Sequence, residues 1–163
     1  MAQTKTLNDL FIETLKDIYY AEQQIVKTLP KMAKVAASST LAAGFEEHRE
    51  QSEVQIERLE QIFEMLDLTP RGKTCDAILG INQEGKEIMA DFAGTSALDA
   101  GLIAAAQAVE HYEIARYGTL KTWARQLGYD QAVPLLEATL KEEMETDEKL
   151  TALATEEANV KAK

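Results

Sequence analysis

The chain has 163 residues, enough to bury one continuous core without covalent staples. Its 45% hydrophobic content excludes disorder, and three prolines and eight glycines among abundant Ala, Leu, Glu and Lys favour an all-α protein. Seventeen basic against 28 acidic residues leave a net charge of −11, so the surface repels a phosphate backbone or an anionic membrane, and neither is expected as a partner.

At the N-terminus, MAQTKTLNDLF has no basic segment, apolar core or cleavage site of a leader, and no stretch approaches transmembrane length. Cys75 is the only cysteine, so no intrachain disulfide can form, and a cytoplasmic, reducing location is expected. Thr6 and Asp9 read as a capping box for a first helix over about 7–36. Its seam, Phe11, Leu15, Ile18, Glu22, Ile25, Leu29, Met32 and Ala36, keeps an alternating three-and-four spacing past Pro30, which is therefore predicted to kink the helix rather than end it. The one charge in that seam is Glu22.

Ser38, Ser39 and Thr40 are N-cap candidates for a second helix over about 40–66. Its seam, Leu41, Phe45, His48, Ser52, Gln55, Leu59, Ile62 and Leu66, is polar in the middle. LTPRGK breaks it, and a shorter helix over about 74–91 lies within a long crossover. Ser96 with Asp99 is predicted to start a fourth helix over about 97–127, closed by a Gly128 C-cap. On it Leu102, Ala106, Val109, Glu113, Leu120, Trp123 and Leu127 form a seam, with Glu110 about 60° from Glu113. Asp130, with Pro134 in the first turn, opens a last helix over about 131–156, whose seam Leu136, Leu140, Glu143, Asp147, Leu150 and Ala154 selects two acids and leaves Glu142, Glu145 and Glu148 outside. One domain over 1–163 is expected. A weak internal repeat supports the pattern: a shift of 91 residues brings Glu22 onto Glu113, and a shift of 92 brings Gln51 onto Glu143 and Gln55 onto Asp147.

Ionised carboxylates cost several kcal/mol each to desolvate, so an interior holding Glu22, Glu110, Glu113, Glu143 and Asp147 needs compensation. Arg116 is the one base nearby that could lean inward. A pair of divalent cations would neutralise four charges, as in ferritin-like di-metal carboxylate bundles. The other reading is a metal-free polar centre of shared protons and water. His48 fits either a ligand or a core histidine bonded to Gln51, Ser52 or a facing acid. His111 projects off the seam, and Glu46, Glu47, Glu50 and Glu53 belong to a solvated face. Tyr19, Tyr20, Tyr112 and Tyr117 flank the acids, as packing or as partners of a ligand carboxylate. Cys75 reads as a small buried hydrophobe.

AEQQIVKTLPKMAKVA, HREQSEVQIERLEQIF, AAAQAVEHYEIARYGTLKTWARQLG and LKEEMETDEKLT resemble the YciE/YciF-like family, a stress-associated branch of the ferritin-like superfamily. The resemblance covers nearly the whole chain. It implies a ferritin-like four-helix bundle with the short extra helix in the crossover, a homodimer rather than a large ferritin cage, and an interior site for one or two iron or manganese ions. Glu22, Glu110, Glu113, Glu143 and Asp147 match the family's acidic positions and His48 its histidine on the second helix. From that histidine the family pattern continues H-x-x-E-T, often with another histidine four residues after the glutamate; here those positions are Gln51, Ser52 and Gln55. Glutamine offers a neutral carbonyl oxygen and no bridging carboxylate, so this half-site is weaker. The expected ligand set is Glu22, His48, Gln51, Glu110, Glu113, Glu143 and Asp147. Peroxide or dioxygen handling is the reaction class to test, and a non-catalytic stress protein with a metal-free interior is the alternative.

Overall fold

The computed structural model of the protein describes residues 4–163. Its elements are α1 (Leu7–Val35), α2 (Ser39–Met65), α3 (Asp76–Asp91), α4 (Leu98–Leu127) and α5 (Val133–Leu153), followed by a π-helical turn, Ala154–Ala158, and the short α6 (Asn159–Lys161). Thr6 caps α1 in a full capping box, its hydroxyl accepting from the Asp9 N–H at 3.3 Å while the Asp9 carboxylate accepts from the Thr6 N–H at 2.7 Å. Pro30 lies inside α1 and does not end it, because Leu29 and Met32 stay in the buried stripe. Ser38 caps α2 through the Leu41 N–H, and Gly128 closes α4 at φ 77°, a left-handed backbone that glycine adopts without steric cost.

Two helix starts differ from the sequence expectation. α4 begins at Leu98 behind Ala97, with no side-chain cap from Ser96. Asp99 is spent elsewhere: its carboxylate accepts the Ala37 and Ser38 N–H groups, both at 2.8 Å, and pins the α1–α2 turn to the start of α4. α5 begins at Val133 behind Ala132, so Asp130 lies in the preceding turn, although Pro134 does sit in the first helical turn. The short helix starts at Asp76, and the Cys75 thiol is its N-cap, accepting from the Ile78 N–H at 3.4 Å.

Cross-helix bonds set the directions. Tyr19 meets Glu60, so α1 and α2 run antiparallel; Gln107 meets Thr151 and Lys121 meets Glu137, so α4 and α5 do too. Glu47 pairs with Lys149 and Arg58 with Glu142, making α2 and α5 antiparallel neighbours. α1 starts beside Tyr129 and ends beside Asp99, antiparallel to α4. The α2–α4 connection therefore travels the length of the bundle, the up-down arrangement with one long crossover of ferritin-like folds. Within that crossover α3 packs on α1 and α4. Gly101 permits the approach, since a Cβ there would lie 2.6 Å from Ile88 Cγ2. No helix among the described residues is long and apolar enough to cross a membrane.

The core runs through the whole bundle in layers. Phe11, Leu15, Leu59, Phe63 and Leu120 fill one end; Leu29, Met32, Leu41, Phe45 and Leu102 fill the other. Between them lies a layer of Glu22, His48, Ser52, Gln55, Glu110, Glu113 and Glu143, as deeply buried as the leucines around it.

Candidate metal centre

Each long helix supplies this middle layer at the point where its apolar stripe is interrupted. α2 gives His48, α4 gives Glu110 and Glu113 one turn apart, and α5 gives Glu143; one donor atom from each of the four lies within 4.8 Å of the others. His48 Nδ1 is 3.0 Å from Glu110 Oε1, and its Nε2 is 3.6 Å from Glu143 Oε2 and 4.0 Å from Glu113 Oε2. The Glu110 approach is out of line for a hydrogen bond. Both oxygens of Glu110, both of Glu113, Oε2 of Glu143 and Nε2 of His48 are buried without a hydrogen-bond partner.

Glu22 lies beside this quartet on α1, fully buried, where the Tyr117 hydroxyl donates to its Oε1 at 2.5 Å and its Oε2 is unpartnered. The Gln55 amide donates to Glu143 Oε1 and, at 3.1 Å, to Glu142 Oε2. Arg58 grips that same Glu142 with two bonds of 2.7 Å, one to each oxygen. With its nitrogen committed to the α5 acids, Gln55 keeps its own carbonyl oxygen inside and unpartnered.

Charge in the layer is set by burial first. Burial and the facing Glu143 push the Glu110 and Glu113 carboxyls well above the usual range. Glu22 is raised to about 8, by burial and then by Glu143. Burial also acts against Glu143, but the nearby His48 imidazole and the protonated Glu110 and Glu113 beside it outweigh it and hold this carboxyl down, at about 2. The Tyr117 phenol is raised by burial and by Glu22, so it stays a donor. In the metal-free protein the negative charge thus concentrates on Glu143.

The remaining expected ligands are not brought into the quartet. Asp147 is turned about 40° from Glu143 around α5 and leaves the interior on the α4 side, where its oxygens meet His111 Nε2 and Gln107 Nε2, each at 3.2 Å. Its partner His111 is 69% exposed. Gln51 is turned about 60° from His48 and accepts from the Thr146 hydroxyl at 3.4 Å instead. Arg116 lies over the Tyr112 ring, 5.0 Å from its centroid, outside the quartet. Tyr112 itself donates to Asp17 at 2.5 Å and contacts the Cys75 thiol at 3.1 Å. Arg58 and Glu142 were not singled out by periodicity, because both lie at the edge of their seams. Gln55, seven residues and so two turns after His48, was legible as an inward position.

The quartet suits a cation. Ligand atoms held at about 2.0–2.2 Å from one ion are at most about 4.4 Å apart, so a slight contraction of His48, Glu110, Glu113 and Glu143 would enclose one. One imidazole and three carboxylates form a hard, mixed donor set of the kind that takes iron, manganese or zinc. The orphaned oxygens supply the acceptor capacity that such an ion uses and that the protein leaves unfilled.

Comparison with known proteins fits this architecture. The family described as "Domain of unknown function (DUF892)" matches residues 6–163. Protein YciF of Escherichia coli is 45% identical over 159 residues, 97% of this chain and 96% of that protein. The crystal structure of the E. coli stress protein YciF superposes with a TM-score of 0.91 at 44% identity, covering 96% of this chain and 99% of that one. YcfI of Rhodopseudomonas palustris, described as a candidate structural protein, gives 0.89 at 47% identity over 92% and 96% of the two chains. A Xanthomonas campestris protein at 22% identity and a TM-score of 0.70, covering 92% of each chain, shares the fold. By sequence over residues 6–163 and by structure, the chain belongs to the DUF892 family, the family of YciF.

Proposed function

We propose that this protein is a stress-associated ferritin-like protein whose middle layer binds a transition metal, iron or manganese, through His48, Glu110, Glu113 and Glu143. The observation that carries the reading is the set of unpartnered ligand atoms converging in a fully buried layer. An apolar quartet of the same size would be more stable in a metal-free bundle, so the acids are explained by a cation rather than by packing. Association with stress follows from the likeness to the E. coli stress protein YciF.

The chain's own groups divide the work. Gln55, steadied by the Arg58–Glu142 pair, holds Glu143 Oε1 and leaves Oε2 directed at His48. Tyr117 occupies one oxygen of Glu22, so Glu22 contributes through Oε2 to a second ion or to a proton held beside the first. Glu110 and Glu113 release their protons when a cation enters, so affinity rises with pH. A bound iron or manganese would supply Lewis acidity and one-electron chemistry within a water-poor layer. Loading the chelator-stripped protein anaerobically with Fe2+ or Mn2+ and measuring bound metal decides the matter. Near-stoichiometric uptake that is lost in His48→Ala supports the reading; uptake below about a tenth of an equivalent removes it.

One observation favours a second reading, a non-catalytic structural protein. Raised carboxyls on Glu110 and Glu113 let the quartet persist as a proton-sharing cluster around one charge. That reading expects chelator to leave the melting temperature unchanged, and a large drop restored by one metal would exclude it.

A further inference from the structure

Opposite the face that α3 covers, the seam between α2 and α5 is open. A groove of about 420 Å³ lies there, walled by Leu41, Phe45, Leu150 and Leu153 and reaching His48. His48 is only 3% exposed, so the groove leads from solvent to a residue that is otherwise buried within the acid quartet. The volume is in the range of about 300–1,000 Å³ that ordinarily holds a small organic ligand.

A second feature keeps the groove open. Gly44 lies on its wall in the interior of α2, where glycine is disfavoured relative to any side chain that continues the helix. A Cβ built there meets no atom within 4 Å, so neither close packing nor backbone geometry requires glycine. What the missing side chain leaves is space in front of His48.

We propose that this groove is the entry and binding site for a small amphipathic molecule with an apolar body and a neutral hydroxyl-type head, the head lying at His48. The inference rests on reading the quartet as the functional centre and names the ligand class that reaches it. Charge decides the head group. An anion would approach the charge held on Glu143, and the one cation lining the groove, Lys149, is already paired with Glu47 at 3.0 Å. An ammonium would have to shed its water in the apolar throat of Leu41, Phe45 and Leu150. A neutral O–H head can lie against His48 at the inner end without the cost of desolvating a charge, while its body covers the leucines.

The test uses cumyl alcohol as the probe, hydrocinnamate as an anionic probe of similar size, and the ring resonances of the two histidines as reporters, read with and without chelator. Cumyl alcohol is expected to shift the His48 signals and leave those of exposed His111 unchanged. Gly44→Leu should weaken binding at least about tenfold, whereas Gly80→Leu, at an equally open but remote glycine, should not. Leucine is the better helix former, so loss of binding in Gly44→Leu cannot be ascribed to a weakened α2. Equal affinity for Gly44→Leu and wild type, a response at His111 alone, or tighter binding of hydrocinnamate overturns the proposal. So does a change of oligomeric state in Gly44→Leu, which would show that a second copy of the chain covers the groove. Failure of metal uptake with the His48 response intact removes the metal reading alone; metal uptake without any His48 response removes the groove proposal alone.

Discussion

At the end of the bundle where α1 begins, Phe11, Phe63 and Leu120 are fully buried, and the rings of Phe11 and Tyr129 meet at 5.4 Å. Further along, Glu110, Glu113 and Glu143 are buried just as completely, yet most of their oxygens have no partner. Water exclusion stabilises the first layer and penalises the second. The apolar ends therefore hold the fold and carry the cost of the middle, a cost that the proposed cation would offset.

The sharpest way to break this contrast is to truncate each layer. Phe63→Ala should lose about 3–5 kcal/mol in urea denaturation, through lost transfer energy and the cavity left behind. By contrast Glu113→Gln, measured in chelator, should be neutral or stabilising, because one buried acid and its repulsion are removed. A large destabilisation by Glu113→Gln without metal would show that the acids themselves hold the bundle together.

pH separates the layers next. Glu22 is raised to about 8, so the folded state binds its proton more tightly than the unfolded chain, whose ordinary value is about 4.3. Its contribution to stability is complete below the unfolded value and is lost as pH climbs through about 8. Glu110 and Glu113, raised by burial, act in the same direction. Glu143, lowered to about 2, acts oppositely and loses its contribution only as pH falls below the ordinary carboxyl range. Chelator-treated protein should therefore be less stable at pH 8.5 than at pH 5.5, by on the order of a few kcal/mol, and melt at a lower temperature. Metal should flatten or reverse that slope, since a cation takes the place of the protons. A melting temperature indifferent to pH in chelator would contradict the protonated quartet.

A smaller effect is expected at the edge of the layer. Arg58→Ala removes the two-bond grip on Glu142 and loosens Gln55; a loss of about 1–2 kcal/mol is expected for a partly buried charged pair. Metal affinity should fall as well, because Glu143 loses its steadied partner. The smallest effect is predicted for Asp147→Asn: with its partner His111 largely exposed, the cost should stay within about 0.5 kcal/mol and metal uptake should not change. Lost uptake in Asp147→Asn would restore this residue to the ligand set.

The long helices, their seams and the polar interruptions were legible in the sequence, because a three-and-four spacing over many turns leaves little choice of face. Phase within a turn was not. Glu143 and Asp147 share one seam on paper, but the about 40° between them puts Glu143 in the quartet and Asp147 against His111. The same drift separates Gln51, which bonds Thr146, from Gln55, which reaches Glu143. Side-chain competition hid the start of α4: Asp99, placed to cap its own helix, instead ties down Ala37 and Ser38, a partner 61 residues away that no local pattern reveals. The weak repeat was informative about position and not about chemistry. Glu22 and Glu113 do occupy matching places beside one another, but Tyr117 holds Glu22 while Glu113 keeps both oxygens free.

Anomalous diffraction at the manganese edge, from crystals of chelator-stripped protein reloaded with Mn2+ without oxygen, tests the central claim most directly. A peak within bonding distance of His48, Glu110, Glu113 and Glu143 is the predicted result. An empty quartet, or a peak at Asp147 and His111 instead, would contradict it.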